Sequence, residues 1–531
     1  MIEIKDNKEC RKSIILQTSD EFCGHSMTYL KGIDCNNENY YIVVDCGIAM
    51  QKEDDDKEAK KRVNMINRNL PIKDDEIGKI KAVLITHDHD DHIGLIPYLV
   101  KRGYKGPIYL SDFSRVEIGP LLQDCCYICN LEGAMLYDKS DVRKSISLIK
   151  TIRPNEEFEI FSDNSVRVSV VPLKNNHLPG AYSYFIMYRF SNGESFNIMA
   201  TGDIKYNNEF LIDYNYPDWI KNLPVTIMCE STYGGSFSNE IKSDGFEENV
   251  AKIFNRGGNV IIATIANERL EILLHKLYVM KQTMQIPTRT KIFVKGTLAQ
   301  ELFYLIRAYR DTIGVPNDYI FDYYDIEFMN NKKMTPKNKH YIMLVTPGMM
   351  KAGNSLAMAI KEASNPLSGL ILTSYVPPNG VAKRFIDTPK GETISLPDGK
   401  TIVKNFDVYQ YTKISGHSKA NELKELLLDQ FNDKKAVIIN HGDPENQEKF
   451  KKYLENEYMG HVPTFVASRK VCFRITSNGV EEVLNSDLDD YSNDDLKEES
   501  NELKENRADM YDKSEDYLEY DEDELYKKFE D

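Results

Sequence analysis

The sequence predicts an α/β protein in which a strand-rich domain bearing candidate metal ligands is interrupted by a second domain with a parallel sheet. Three observations predict this. Potential ligands stand just past the ends of apolar strands in the first two hundred residues. After about Asn215 the rhythm changes to short buried strands alternating with amphipathic helices. After about Thr388 the chain returns to short strands that carry histidines at their ends. At 531 residues the chain exceeds what one core organises, and its 41% hydrophobic content supports globular cores. The expected domains are 1–215, an insertion over 216–388, a return over 389–480, and an acidic tail over 481–531.

In chain order, YYIVV ends at Asp45, Cys46 and Gly47, and a charged segment, KEDDDKEAKKR, follows Met50 as a surface helix or loop. KAVLIT reads as a buried strand and runs into THDHDDHIG, from Thr86 to Gly94. VRVSVVPL leads to Asn176 and His177, SYFIMYRF follows, and NIMATGD ends at Asp203. Side chains from several strand ends are thereby expected at one rim.

The densest signal is the run holding His87, His89, Asp91 and His92. An extended backbone leaving KAVLIT puts His87 and His89 on one side, two residues apart, so they can share an ion. Asp91 and His92 fall where the chain turns into the amphipathic HIGLIPYLVKRG, and their different directions suit a second ion a few Å away. Imidazole and carboxylate ligands without thiolate favour Zn²⁺, with Mn²⁺ as the substitute. The alternative is a solvated turn rich in Asp and His, which rarely falls into H-x-H-x-D-H order by accident.

PVTIMCES, NVIIATIA, KIFVKG, HYIMLVTP and GLILTSY are continuous apolar runs separated by helices such as FEENVAKIFNRG and ERLEILLHKLYVMKQ. Runs of this kind argue for a parallel sheet covered on both faces. TKISGH, AVIINHGD, TFVAS and VCFRI then rebuild the first domain, which places the site in the cleft between the two.

The formal charge of −16 resides mostly at the end: residues 486–531 hold 20 acidic against 6 basic side chains, leaving the rest near −2. The folded part is therefore not hostile to a polyanion. The tail reads as disordered, serving either solubility or protein docking and autoinhibition. No apolar run approaches the ~18 residues that span a bilayer, and MIEIKDNKEC is too polar for a signal peptide, so a cytoplasmic protein without membrane partners is expected. Nine cysteines give no disulfide framework, and the Cys125, Cys126 and Cys129 cluster reads as packing. Oligomeric state is left open.

Asp45, the H-x-H-x-D-H run, His177 and Asp203, in that order, resemble the metallo-β-lactamase fold, an αββα sandwich. Glu230 in CESTYGG, His417 in ISGHS and His441 in INHGD resemble motifs A, B and C of its β-CASP branch, whose nucleases include RNase J and the endonuclease subunit of the polyadenylation factor. TPGMMKAGNS and TSYVPPNGVAKR also resemble pieces of that family. The likeness covers about residues 15 to 475. NVIIATIANERLEIL keeps Arg269 but departs from the family's usual turn before it.

The resemblance implies two Zn²⁺ per chain. His87, His89 and His177 would hold one, Asp91, His92 and His441 the other, with Asp203 bridging and a position left for an activated water. Asp91 and Asp203 thereby count among the catalytic residues. Asp45 is implied to orient a ligand, while a turn cap at Cys46 and Gly47 is its other reading. His417, held protonated by Glu230, would give a proton to the departing ribose 3′-oxygen. Ser415 and Ser418, before the amino end of the helix KANELKELLLDQF, and Arg269, Lys351, Lys383 and Arg384 are candidate phosphate contacts. The implied substrate is single-stranded RNA, favoured over DNA by His441, with 5′-phosphate and 3′-hydroxyl products. Endonucleolytic and 5′-exonucleolytic modes both stay open. A single-stranded DNA nuclease and a dinuclear hydrolase of other substrates are the alternatives.

Overall fold

The computed structural model describes residues 12–484 apart from 19–23, 50–56, 132–135, 238–244, 330–335, 337–339, 351–352, 378–379, 398 and 412–413. Lys351 and residues 485–531 lie outside the described residues; the expected tail of 481–531 starts too early, because Glu481 to Leu484 finish a strand, Gly479–Leu484, that pairs with Val471–Thr476.

Two mixed sheets stack face to face. The first has eight strands in the spatial order Gly479–Leu484, Val471–Thr476, Ile14–Thr18, Thr28–Ile33, Asn39–Val44, Ile80–Leu84, Ile108–Ser111, Ile149–Ile152. The second has seven, in the order Thr464–Val466, Lys434–Ile439, Val225–Cys229, Ser195–Ala200, Tyr182–Phe190, Val166–Lys174, Phe158–Ser162. Strand alternation builds the layers. Ile42, Val44, Tyr184, Ile186 and Tyr188 meet in the core between the sheets. Their neighbours Tyr41 and Val43 face the helices outside the first sheet, and Phe185 and Met187 those outside the second. The result is the expected αββα sandwich. Cys125, Cys126 and Cys129 are buried in its outer helical layer, on the helix Asp112–Leu131.

The inserted sheet has six strands, all parallel, ordered Ile326–Met329, Ile292–Lys295, Ile342–Val345, Val260–Ala263, Gly369–Leu372, Asp407–Gln410. Val260 and Ile262 pack into one apolar layer and Ile261 and Ala263 into the other, which is why these strands read as unbroken apolar runs.

Sheet membership corrects the expected insertion of 216–388 at both ends. Val225–Cys229 pairs in parallel with Ser195–Ala200 and Lys434–Ile439, so it belongs to the sandwich. Asp407–Gln410 pairs with Gly369–Leu372 and closes the inserted sheet. Both errors have one cause: a short apolar strand carries no mark of which sheet supplies its hydrogen bonds.

Asn39–Val44, Ile80–Leu84, Val166–Lys174, Ser195–Ala200, Val225–Cys229 and Lys434–Ile439 end immediately before, or within three residues of, Asp45, His87, His177, Asp203, Glu230 and His441. In each sheet these strands run in one direction, so their carboxyl ends form a common rim.

Candidate dinuclear metal centre

Past Leu84 the chain bends at Thr86, is extended at His89 (φ −68°, ψ 148°) and then makes a single helical turn, Asp90–Ile93. His87 and His89 therefore project from the segment before the turn, and Asp91 and His92 from the turn itself. His89 Nδ1 lies 3.2 Å from both His87 Nε2 and His177 Nε2. Asp203 Oδ2 lies 3.6 Å from His87 Nε2 and 3.7 Å from His177 Nε2. A tetrahedral zinc with nitrogen bonds of 2.0–2.1 Å sets its ligands about 3.3 Å apart, so these four side chains fit one ion. Asp91, His92 and His441 form a second group, with His441 Nε2 3.6 Å from Asp91 Oδ2. Asp203 Oδ2 is also 3.4 Å from His92 Nε2, and Asp203 Oδ1 is 2.9 Å from His441 Nδ1. One carboxylate thus touches both groups.

The electrostatics suit cations. Burial, aided by neighbouring imidazoles, pushes the pKa of His87 and His177 well down, and burial brings His89 to about 4. These three rings are therefore neutral at physiological pH, the form that ligates. For His92, burial opposes the charge, but Asp203 and Asp45 outweigh it and raise the pKa to about 10. Burial would likewise raise Asp203, yet His441, His92 and His417 hold it well below the usual carboxylate range. His92 Nε2 is buried without a hydrogen-bond partner while Nδ1 is tied to Asp45, as a metal-ligating imidazole requires.

Asp45 does more than cap a turn. It stands at φ 61°, and its carboxylate accepts from Thr86 N at 2.7 Å, Thr86 Oγ1 at 2.9 Å and His92 Nδ1 at 2.8 Å. It fixes both the ring of His92 and the start of the histidine run. Close approach is enforced elsewhere by glycine. A Cβ on Gly47 would sit 1.5 Å from Asp91 O, and one on Gly416 would sit 2.8 Å from His177 Cε1. His177 Nδ1 donates to Gly416 O, so the loop carrying His417 also orients His177.

His417 and Glu230 meet from positions 187 apart in sequence. Nδ1 of His417 is 3.0 Å from each carboxylate oxygen of Glu230, and Nε2 is 3.9 Å from Asp203 Oδ2, facing the metal groups. Burial works against the charge on His417, but Glu230 and Asp203 prevail and raise its pKa. The arrangement can hold a proton on Nε2 at the edge of the centre.

The expected phosphate contacts fare unevenly. Ser415 Oγ accepts from His417 N at 3.1 Å and shapes that loop. Ser418 is fully buried with its hydroxyl accepting from Tyr206 N at 2.8 Å, so it cannot meet substrate. Its exposure was misjudged because a serine before a helix carries no sign of what covers it. Arg269 donates to Thr373 O at 3.2 Å and lies within electrostatic reach of Tyr233. Lys383 pairs with Asp387, and Arg384 donates to Ser395 O, both within the insertion.

Two residues escaped notice in the sequence. Tyr233, in CESTYGG, is partly exposed, and its ring centroid lies 5.9 Å from that of His417. Lys205 reaches to 3.5 Å from His417 O. Its place two residues past Asp203 was the available signal. His275 lies outside the centre and stacks on Tyr319 at 4.2 Å.

Residues 21–123 match the metallo-beta-lactamase superfamily, and residues 401–467 match the Zn-dependent metallo-hydrolase RNA specificity domain. The chain is 25% identical to the probable RNase MJ4 of Methanocaldococcus jannaschii, over 77% of this chain and 90% of that protein. It is 26% identical to the transcription termination factor FttA of Methanothermobacter thermautotrophicus, over 79% and 65% respectively. With cleavage and polyadenylation specificity factor 73 of Drosophila melanogaster it shares 25%, over 73% of this chain and 56% of that protein. With its αββα sandwich, its inserted parallel sheet and these two matched segments, the chain is similar to the metallo-β-lactamase superfamily, in keeping with the β-CASP branch.

Proposed function

We propose that this protein is a zinc-dependent ribonuclease that hydrolyses phosphodiester bonds of single-stranded RNA, with two zinc ions per chain and RNA processing or decay as its role. The observation that carries the reading is the carboxylate of Asp203, which faces two histidine-rich ligand groups and the His417–Glu230 pair at once. His87, His89, His177 and Asp203 would hold one ion, and Asp91, His92, His441 and Asp203 the other. Bound zinc supplies Lewis acidity, which makes a water acidic enough to serve as nucleophile near neutral pH.

The residues do the remaining work. Asp45 holds His92 in place through Nδ1, and Gly416 O holds His177. His417, protonated at Nε2 under the influence of Glu230, donates to the ribose 3′-oxygen as the P–O bond breaks. The products carry 5′-phosphate and 3′-hydroxyl ends. The match to an RNA specificity domain and the names of the relatives support RNA as the polymer. Among the described residues no helix is long and apolar enough to cross a membrane.

The test presents zinc-loaded protein with single-stranded RNA bearing 5′-monophosphate or 5′-triphosphate, and with matched DNA, following both labelled ends. Zinc-dependent cleavage of RNA is expected. Equal or faster cleavage of DNA replaces the reading with a DNA nuclease, and inertness toward both polymers ends it. Internal fragments or released mononucleotides assign the mode.

A further inference from the structure

A cation stands beside His417 without a short contact. The backbone that carries it, from Asp203 to Tyr206, is fixed on several sides. Ile204 N donates to Glu230 Oε1 at 2.9 Å, Ser418 N to Ile204 O at 2.9 Å, Lys205 N to Asn175 O at 3.1 Å, and Tyr206 N to Ser418 Oγ at 2.8 Å. Lys205 is therefore locked to the turn before His177, to Glu230 and to the His417 loop together. Its ammonium sits 3.5 Å from His417 O and 3.8 Å from Glu422 Oε2.

An ammonium has three donors, and these two contacts are both long. Glu422 Oε2 is also committed to Lys419 N at 3.0 Å. The neighbouring cationic groups differ. His417 has Glu230 at 3.0 Å, and Arg269 donates to Thr373 O at 3.2 Å. All three lie within electrostatic reach of Glu268, which is 3% exposed and held at φ 61°. The Lys205 side chain is only 16% exposed, so water compensates little of its charge. A part-buried, rigidly mounted cation with donors to spare, next to the proton-donating side chain, suits an anionic oxygen of the bound polymer.

We propose that Lys205 anchors the substrate strand beside His417, its ammonium binding a non-bridging oxygen of an RNA phosphodiester. The proposal rests on the ribonuclease reading above. It adds a substrate contact that neither the metal groups nor the His417–Glu230 pair supplies.

The experiment measures binding of a short single-stranded oligouridylate to zinc-loaded protein carrying His417→Ala, which slows cleavage and leaves the backbone carbonyl at 417. Lys205→Met, Lys205→Gln and Lys205→Arg are added singly, and affinity is followed across a salt series. Removing one phosphate contact lowers the slope of log affinity against log salt by about 0.7 for a single strand. Met and Gln should both lose that slope and about tenfold in affinity at low salt, while Arg keeps the slope. An unchanged slope in Met and Gln, with RNA still bound by the parent, overturns the Lys205 proposal alone. Weaker binding at constant slope overturns it too, since that marks a structural role. A parent that binds no RNA overturns the ribonuclease reading and this proposal together.

Discussion

Both carboxylate oxygens of Glu230 lie 3.0 Å from Nδ1 of His417. The same carboxylate accepts from Ile204 N and Thr232 N, so it is held by its own surroundings before it holds the histidine. This orients Nε2 toward Asp203. A general acid contributes roughly 10²–10⁴-fold. His417→Ala should lower kcat by that amount with both zincs retained, and Glu230→Gln should lower it about tenfold or more. Metal analysis beside single-turnover rates checks this; zinc loss in His417→Ala would make it a ligand instead.

Asp45 acts through His92. Removing such a carboxylate behind a ligating histidine weakens metal binding by about 10–100-fold. Asp45→Ala should therefore bind zinc that much more weakly at one of the two positions, measured by competition with a chromophoric chelator. Unchanged affinity at both would return Asp45 to a role in the turn alone.

Gly416→Ala places a Cβ against the ring of His177. The ring has no room to yield without leaving Asp203 and His89, so zinc content should fall toward one ion per chain with little change in secondary structure. Two ions per chain at wild-type affinity would contradict this contact.

Ser418→Ala removes the acceptor for a buried N–H at Tyr206. Stability should fall by about 1–3 kcal/mol, read as a lower denaturation midpoint. KM for RNA should not change, because the hydroxyl never meets substrate.

Glu271 is fully buried on the helix Arg269–Gln282, and neither carboxylate oxygen has a hydrogen-bond partner. Burial raises its pKa from 4.5 to about 8. A carboxyl with a raised folded-state pKa favours folding while protonated, and that contribution is lost as pH climbs from the unfolded value through the folded one. Stability should thus fall between about pH 4.5 and 8. Glu271→Gln should flatten the fall, gaining on the order of a few kcal/mol at pH 8 relative to pH 5. Thermal melts of both proteins at the two pH values decide it.

Much of the candidate centre was legible in the sequence because the residues proposed as its ligands obey local rules. An apolar strand followed by H-x-H-x-D-H fixes which side chains leave the segment before the helical turn and which leave the turn itself. His177, Asp203 and His441 were legible for the related reason that each ends a strand. Asp45 was ambiguous, since its partners Thr86 and His92 lie 41 and 47 residues away. The insertion boundaries were misread because the pairing of Val225–Cys229 with Lys434–Ile439 depends on hydrogen bonds, and those leave no pattern in a five-residue apolar run.

The sequence by itself determined the residue types of the centre, a strand-rich domain interrupted by a parallel sheet, and the pairing of imidazole with carboxylate, because periodicity and ligand chemistry are properties of short segments; the αββα sandwich was implied by the resemblance to the metallo-β-lactamase fold. The tertiary structure decided that Asp203 faces both ligand groups, that Asp45 grips His92, that Ser418 is sealed, and that Lys205 stands beside His417. Those outcomes depend on how strand ends from distant parts of the chain converge on one rim, where a shift of a few Å separates a ligand from a packed side chain.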